Sequence, residues 1–359
     1  MSIQDSPLSL GTDSLGKLLK RYAMPAIIAQ VSSSLYNIMD SIFIGQGVGP
    51  LAISGLALTM PMMNLGAAFG AMVGAGSAAI TSIRLGQGNK QAAEQILGNV
   101  VLLNVAMGVI FTLLGLIFID DLLYFFGAST QTIGYARDYM QIILYGNVVT
   151  HLYLGLNCIV RVTGYPQKAM AMMLISIAVN GTLDALFIFG FKWGIAGSAW
   201  ATVIAQLVPL IIQIVHFSSP SSFLRFRHGI FRFRWEIIKN IIGIGMAPFA
   251  IHVCACVVVI VVNNVLQEYG GDTAIGAYGI VNRVAFIFTM IVLGLTQGMQ
   301  PIIGYNYGAR NFDRVKQTFR RMITTTFLMG AVFSLSVDLF PAAYAGLFTD
   351  NPELIALTA

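Results

Sequence analysis

Two carboxylates stand where this chain has least use for charge. Asp40 lies in "AQVSSSLYNIMDSIFIGQG" (29–47), with no Lys or Arg within fifteen positions on either side, and Asp184 lies in "SIAVNGTLDALFIFG" (176–190). An ionised Asp at the centre of a membrane helix costs about 2.5–3.5 kcal/mol on insertion scales. Such a residue normally faces a cavity or a bundle interior and marks a functional site. At 100° per residue, Gln30, Ser33, Ser34, Asn37, Asp40 and Ser41 form one polar stripe, with Tyr36 beside it. Ser176, Asn180 and Asp184 recur every four residues on one face of a second helix, and Thr202 and Gln206 sit one turn apart on a third. Two carboxylates with amide and hydroxyl oxygens are hard ligands of the kind that suits Na⁺. Carboxylates in a low dielectric equally suit a proton carrier. Residue type does not choose between the two ions. A lone Asp near a span end would pass as an interfacial residue; two on polar faces of nearby helices fit that reading poorly.

The elements that position these residues are membrane helices. Of 359 residues, 57% are hydrophobic and 10% charged, against about 25% charged in a soluble domain, and the mean hydropathy is +0.78. Apolar segments fall near 17–45, 51–83, 94–119, 135–161, 169–191, 195–217, 239–267, 273–304 and 316–340, and a tenth begins near Pro352. Pro25, Pro61, Pro209, Pro248 and Pro301 are kink candidates. Seventeen of the twenty Lys and Arg residues fall on one side: in the lead-in and in the connections after spans 2, 4, 6 and 8. Only Arg137 and Lys192 lie on the other side, and Arg283 falls within span 8. This alternation places the N-terminus and the basic loops in the cytoplasm. The net charge of +5 then reflects a basic face beside anionic lipid and calls for no nucleic-acid partner. The N-terminus lacks the pattern of a signal peptide and reads as a short cytosolic lead-in.

The chain also repeats itself. "GPLAISGLALT" (49–59) is echoed by "GGDTAIGAYGIV" (270–281) at an offset of 222, which also carries Gly76 to Gly298, Gly86 to Gly308, Asn89 to Asn311, Gln95 to Gln317 and Phe126 to Phe348. After a one-residue slip, Pro25 pairs with Pro248 and Asp40 with Asn263. Six spans per repeat is even, so the copies are parallel and related by an axis along the membrane normal. The expected organisation is a cytosolic lead-in (1–16), a first lobe of six spans (17–217), a basic linker (218–238) and an incomplete second lobe (239–359). Two full repeats imply a protein near 445 residues, so the chain is expected to stop about three spans short.

Soluble-enzyme chemistry finds no footing. No GxSxG, HExxH, P-loop or dinucleotide fingerprint is present, and the four His residues are scattered. Cys158, Cys254 and Cys256 lie in apolar segments and read as packing residues. Met-rich runs at Met60, Met62 and Met63 and at Met170, Met172 and Met173 suit adaptable apolar contacts, though packing accounts for them as well. Arg283 either meets an acid or snorkels to the interface. Asn263, opposite Asp40 in the repeat, either lines a cavity or joins helices.

The stretches "MPAIIAQVSSSLYNIMDSIFIGQGVGPLAISGLAL", "RLGQGNKQAAEQILGN", "RVTGYPQKAM", "WGIAGSAWATVIAQ" and "QGMQPIIGYNYGARNFDRVKQTFR" together resemble the multidrug and toxic compound extrusion (MATE) family, in its DinF-like and MepA-like bacterial branch. The resemblance runs from about residue 14 to the end. It implies an all-α, twelve-helix, two-lobe membrane bundle, of which about nine helices are present here. It also implies export of organic, often cationic, compounds by antiport with H⁺ or Na⁺, with no enzyme activity and no cofactor beyond the coupling ion. The family's first-lobe cation site matches at Asp40, Asn180, Asp184 and Thr202. Tyr36, Asn37, Ser176, Gln206, Asn263 and Arg283 are candidates to line or support the cavity. The expected partners are small organic substrates and the bilayer, with the protein acting as a monomer. The rival reading is a lipid-linked precursor flippase of related architecture, which needs several basic residues in its central cavity.

Overall fold

The computed structural model describes residues 9–346 and 352–359; the side chains of Asn37, 259–260, 263–264, 266–276 and 353–354 are outside the description. The described residues are mostly helical, with an irregular connector at 219–234 and no strand among them. In chain order the helices are α1 (Ser9–Thr12), α2 (Leu15–Gly47), α3 (Pro50–Gly86), α4 (Lys90–Ile117), α5 (Ile119–Phe125), α6 (Ile133–Val162), α7 (Pro166–Ala185), α8 (Gly194–Ser218), α9 (Trp235–Gly308), α10 (Phe312–Leu339), α11 (Pro341–Gly346) and α12 (Pro352–Thr358). A π-helical turn, Leu186–Gly190, continues α7. Nine stretches among the described residues are long and apolar enough to cross a membrane. They match the nine spans read from hydropathy to within about a turn, except that the seventh stretch ends at Val258 where hydropathy runs on to 267.

The kink candidates Pro25, Pro61 and Pro209 lie inside unbroken helices. Spans 7 and 8, expected as separate segments, lie within the one helical element α9. It is nonetheless two passes. Gly76 of α3 abuts Ile241, and Ala75 accepts a hydrogen bond from Gln300 Nε2 at 2.9 Å. In a straight helix Ile241 and Gln300 would stand about 88 Å apart. The first arm (Trp235–Val258) runs antiparallel to α3, since Met72 meets Gly245 where Gly76 meets Ile241. The second arm (Ala277–Gly308) runs parallel to it, through Ala75–Gln300, Ser82–Gly304 and Ile83–Gly308. From Ser9 the lead-in is docked: Leu10 is fully buried and Gly11 lies against the Tyr305 ring. Asn306 Nδ2 donates to the Leu10 carbonyl at 3.0 Å, and the Arg314 guanidinium donates to the Leu10 and Asp13 carbonyls.

The repeat is visible as geometry. A Cβ on Gly86 would strike the carbonyl oxygen of Tyr305, and a Cβ on Gly308 would strike that of Ile83. Residues 83 and 305, and 86 and 308, are partners at the offset of 222. One crossing of α3 with α9 is therefore self-complementary, as a contact on a pseudo-twofold axis must be. Off the axis the contacts come in pairs: Gly76 meets Ile241 and Gly245, while Gly298 meets Tyr22 and Ala23. The helix starts repeat too, with Asn89 Oδ1 capping the Ala92 N–H at 2.9 Å and Asn311 Oδ1 capping that of Arg314 at 3.4 Å.

The largest apolar cluster lies at the basic end, where Leu10, Leu18, Tyr22, Leu85, Leu97, Phe217, Leu224, Ile241, Ile302 and Tyr305 tie both lobes, the linker and α1 together. Arg161 adds a hydrogen bond to Gln297 Oε1 at 2.6 Å across the lobes. Phe125, Ile117, Phe327 and Val332 stand exposed on the flanks, as lipid-facing side chains do.

Candidate functional site

The polar faces read from spacing converge. Asp40 lies seven residues before the end of α2, Asp184 six before the end of the π turn, and Ser198 and Thr202 four and eight after the start of α8. With a rise of about 1.5 Å per residue, all four lie roughly 6–12 Å from the end of the bundle opposite the basic loops. Asp40, Asn180, Asp184, Ser198 and Thr202 are all buried. Helices α2, α7 and α8 thus supply one cluster inside the first lobe.

Its bonds are specific. Ser198 Oγ donates to Asp40 Oδ1 at 2.5 Å. Thr202 Oγ1 takes the Asn180 amide at 3.2 Å and shares a hydrogen bond of 3.0 Å with the Tyr36 hydroxyl. Asp184 lies against Asp40 and Ser198. Yet both its carboxylate oxygens, and the Asn180 carbonyl oxygen, are buried with no hydrogen-bond partner among the described residues. An orphaned buried acceptor costs about 1–3 kcal/mol, and more when charged. Three of them beside a second carboxylate form a donor set that a proton or a hard cation would satisfy. Among the described residues no group of three His, Cys, Asp or Glu side chains forms a transition-metal site.

The surroundings of the cluster are apolar at the end opposite the basic loops. Ile44, Ala52, Leu56, Tyr139, Ile188, Ile195 and Ala199 form an apolar cap around the same helix ends. Tyr139 of α6 lies within electrostatic reach of Asp40, Tyr36 and Asp184. The π turn begins two residues after Asp184, where such bulges often accompany function.

The remaining candidates divide. Gln206 accepts a hydrogen bond from Thr150 of α6, which fixes it one turn beyond Thr202. Ser176 is buried beside Tyr153. Arg283 is exposed on the second arm of α9 and joins none of these contacts. Asn37 and Asn263 lie outside the described side chains. Spacing missed Ser198 and Tyr139. Ser198 had a signal, since it precedes Thr202 by four residues on α8; Tyr139 had none, because nothing along α6 marks which aromatic faces α2.

The comparisons with known proteins agree with this architecture. The MatE family model matches residues 25–186 and 248–359. A multidrug export protein MepA of Staphylococcus haemolyticus is 28% identical over 344 residues, 96% of this chain and 76% of that protein. MepA of Staphylococcus aureus is 26% identical over 341 residues, 95% of this chain and 75% of the relative. A solved outward-facing MATE family transporter of the MOP superfamily superposes with a TM-score of 0.91 at 23% identity, covering 98% of this chain and 78% of its own. A MOP superfamily transporter from Pyrococcus furiosus gives 0.90 at 23%, with the same coverage of each chain.

Proposed function

We propose, from the premise that this chain belongs to the MatE family of multidrug and toxic compound extrusion transporters, that it is a secondary active exporter. Its substrates are organic, often cationic compounds, and H⁺ or Na⁺ entering at the Asp40–Asp184 cluster drives their exit. The observation that carries the reading is the convergence of two buried carboxylates with three unpartnered oxygens. An ion taken up from outside neutralises the pair and supplies the partner that Asp184 and Asn180 lack. Ser198 and Thr202, both on α8, are bonded to groups on α2 and α7, so a change in charge at Asp40 or Asp184 is felt by the packing of all three helices. A cationic substrate that depends on the same negative charge is then displaced. Such an exchange needs only that the ion bind the two conformations unequally. The named relatives, multidrug export proteins of the MepA type, point the same way.

The orientation that accompanies this reading puts the basic loops and the N-terminus in the cytoplasm of a bacterial or archaeal cell, with the protein acting as a monomer. A flippase is the less favoured reading, because Arg283 is exposed away from the cluster. The test is dye efflux from proteoliposomes under a pH gradient and a Na⁺ gradient imposed separately. One gradient is expected to drive efflux, and Asp40→Asn is expected to abolish that drive while leaving insertion intact. Efflux by Asp40→Asn at the wild-type rate would overturn the mechanism.

A further inference from the structure

The polar stripe of α8 does not stop at the ion cluster. At 100° per residue, Ser198, Thr202, Gln206, Gln213 and His216 fall within an arc of about 80°. From first to last they span about 27 Å of helix, close to the hydrocarbon thickness of about 30 Å. The cluster around Asp40 and Asp184 uses only Ser198 and Thr202. The inner part of the stripe serves something else.

Two neighbouring helices place polar groups level with it. Helix α6 runs parallel to α8, with Gly146 against Val203 and Thr150 donating to Gln206. Seven residues further along both helices, Asn157 stands level with Gln213. Helix α7 runs antiparallel, with Asn180 bonded to Thr202. Eleven residues inward along both, Ala169 stands level with Gln213, and Asn157 Nδ2 donates to the Ala169 carbonyl at 3.0 Å. The two routes agree. Between these levels, Tyr153 of α6 meets Ser176 of α7. Pro209, on the same side of α8, has no N–H and leaves the Ala205 carbonyl without its helical donor. Gln213 itself is fully buried, and neither its amide oxygen nor its amide nitrogen has a hydrogen-bond partner among the described residues. Buried polar groups of this kind are ordinarily satisfied by internal water.

The inner end of the column is held by a cation. Arg161 Nη2 donates to Asn157 Oδ1 at 3.4 Å, and Nη1 donates to Gln297 Oε1 of the second lobe at 2.6 Å. A guanidinium at the mouth of a water path is an electrostatic barrier to a proton. Its restraint lies in the other lobe, so parting of the basic ends withdraws Gln297 and frees Arg161 to swing aside. Beyond the two acids, the titratable groups along the column are Tyr36, Tyr139, Tyr153, Arg161 and His216, with Lys168 of α7 beside His216. Cys158 faces Gly74 of α3 instead.

We propose that this column is a water-filled proton path from the Asp40–Asp184 cluster to the basic end of the first lobe, with Arg161 as its gate and Gln297 as the catch. The inference rests on the reading of the cluster as the coupling site and takes H⁺ as the ion. A proton leaving Asp184 passes to the adjoining water, along the waters held by Gln206, Gln213 and Asn157, and out to bulk water. The carboxylate is left ionised for the next cycle, and no side chain of the column keeps the proton.

The test uses proteoliposomes with a pH indicator inside, and reads proton flux and ethidium efflux together under an imposed pH gradient. Wild type is expected to move protons only with ethidium. Gln213→Leu should lower the maximal rate by about five- to tenfold, the effect of one lost hydrogen bond on a barrier. The proton concentration giving half-maximal efflux should stay at the wild-type value, because the cluster is untouched. Gln213→Asn keeps an amide and should retain most of the rate. Gln297→Ala should let protons flow without ethidium, and it tests the gate through a half-buried side chain outside the column's core. An unchanged maximal rate in Gln213→Leu would overturn the path, as would a fall matched by a shift in the half-maximal proton concentration. No ethidium-free proton flux in Gln297→Ala would overturn the gate. Asp40→Asn in the same vesicles separates the two levels of the argument. With Asp40→Asn inactive and Gln213→Leu normal, or with a Na⁺ gradient alone driving efflux, the cluster stands and the path falls. Export by Asp40→Asn at the wild-type rate removes the cluster itself.

Discussion

The crossing of α3 with the second arm of α9 invites a perturbation whose size follows from its geometry. In Gly86→Ala the new methyl meets the Tyr305 carbonyl oxygen, and in Gly308→Ala it meets that of Ile83. Both obstacles are helix backbone, so neither can swing aside as a side-chain tip would, and relief requires the helices to part. Overpacking of this kind costs about 1–3 kcal/mol, which changes a population ratio by about 5–150-fold. The penalty falls on the arrangement in which the basic ends of the lobes touch, so each variant should favour an arrangement with that end open. Spin labels on Gln91 and Asp313 report the gap. Both are exposed, they flank the crossing, and they are partners at the offset of 222. Wild type is expected to give mainly the short distance by double electron–electron resonance, and each single variant a raised long-distance fraction. The double variant carries the sharper expectation. Helices already separated by one methyl have room for the other, so the two costs should fall short of additivity by about 0.5–3 kcal/mol. Full additivity would refute the shared crossing, and an unchanged distance distribution would refute the closed contact itself.

Three further outcomes are expected. Ser198→Ala removes the hydroxyl that donates to Asp40, worth about 1.5–3 kcal/mol to a charged acceptor; the ion concentration giving half-maximal efflux should shift at least several-fold, whereas Thr150→Val, which acts through Gln206, should change it less. Asn99→Leu strips the linker of two hydrogen bonds and should cost about 1–3 kcal/mol, read as faster proteolysis within 219–234 than in wild type. Asn89→Ala and Asn311→Ala each remove a helix cap at about 1 kcal/mol; thermal denaturation in detergent should fall by similar amounts for both, and a loss confined to one would contradict their equivalence.

Much of this was legible in residue order. Nine spans followed from hydropathy because the bilayer fixes helix length, and they agree with the helices to within about a turn, Val258 and Ala277 excepted. Asp40, Asn180, Asp184 and Thr202 could be nominated because each polar face stands out against an apolar helix. Their convergence could not. A helical wheel gives the direction of a face relative to its own axis, while the neighbour it meets depends on how three helices are arranged. Tyr139 shows the limit: nothing along α6 marks it until α6 is placed beside α2. The docking of Leu10 was likewise hidden, because a short segment bearing Asp5 and Asp13 gives no periodic signal.

The duplication explains which residues carry that kind of information. A contact on the pseudo-axis joins a position to its own counterpart, so both copies must satisfy one steric demand together. Gly86 and Gly308, each pressed on a carbonyl of the other helix, are held alike by that demand. Away from the axis no such demand couples the copies, and each position is free to acquire its own chemistry. Asp40 faces Asn263 in the alignment, and Gly98 and Asn99 face Arg320 and Arg321. The departures from the repeat therefore locate function better than the matches do. By that argument, giving the second lobe a carboxylate through Asn263→Asp should not rescue Asp40→Asn, because Asp40 is clustered with Asp184 and Asn180 of α7 and Ser198 of α8 rather than standing alone. An efflux assay in which Asn263→Asp rescued Asp40→Asn would show instead that the carboxylate alone is sufficient, and that the three-helix cluster is not the coupling unit.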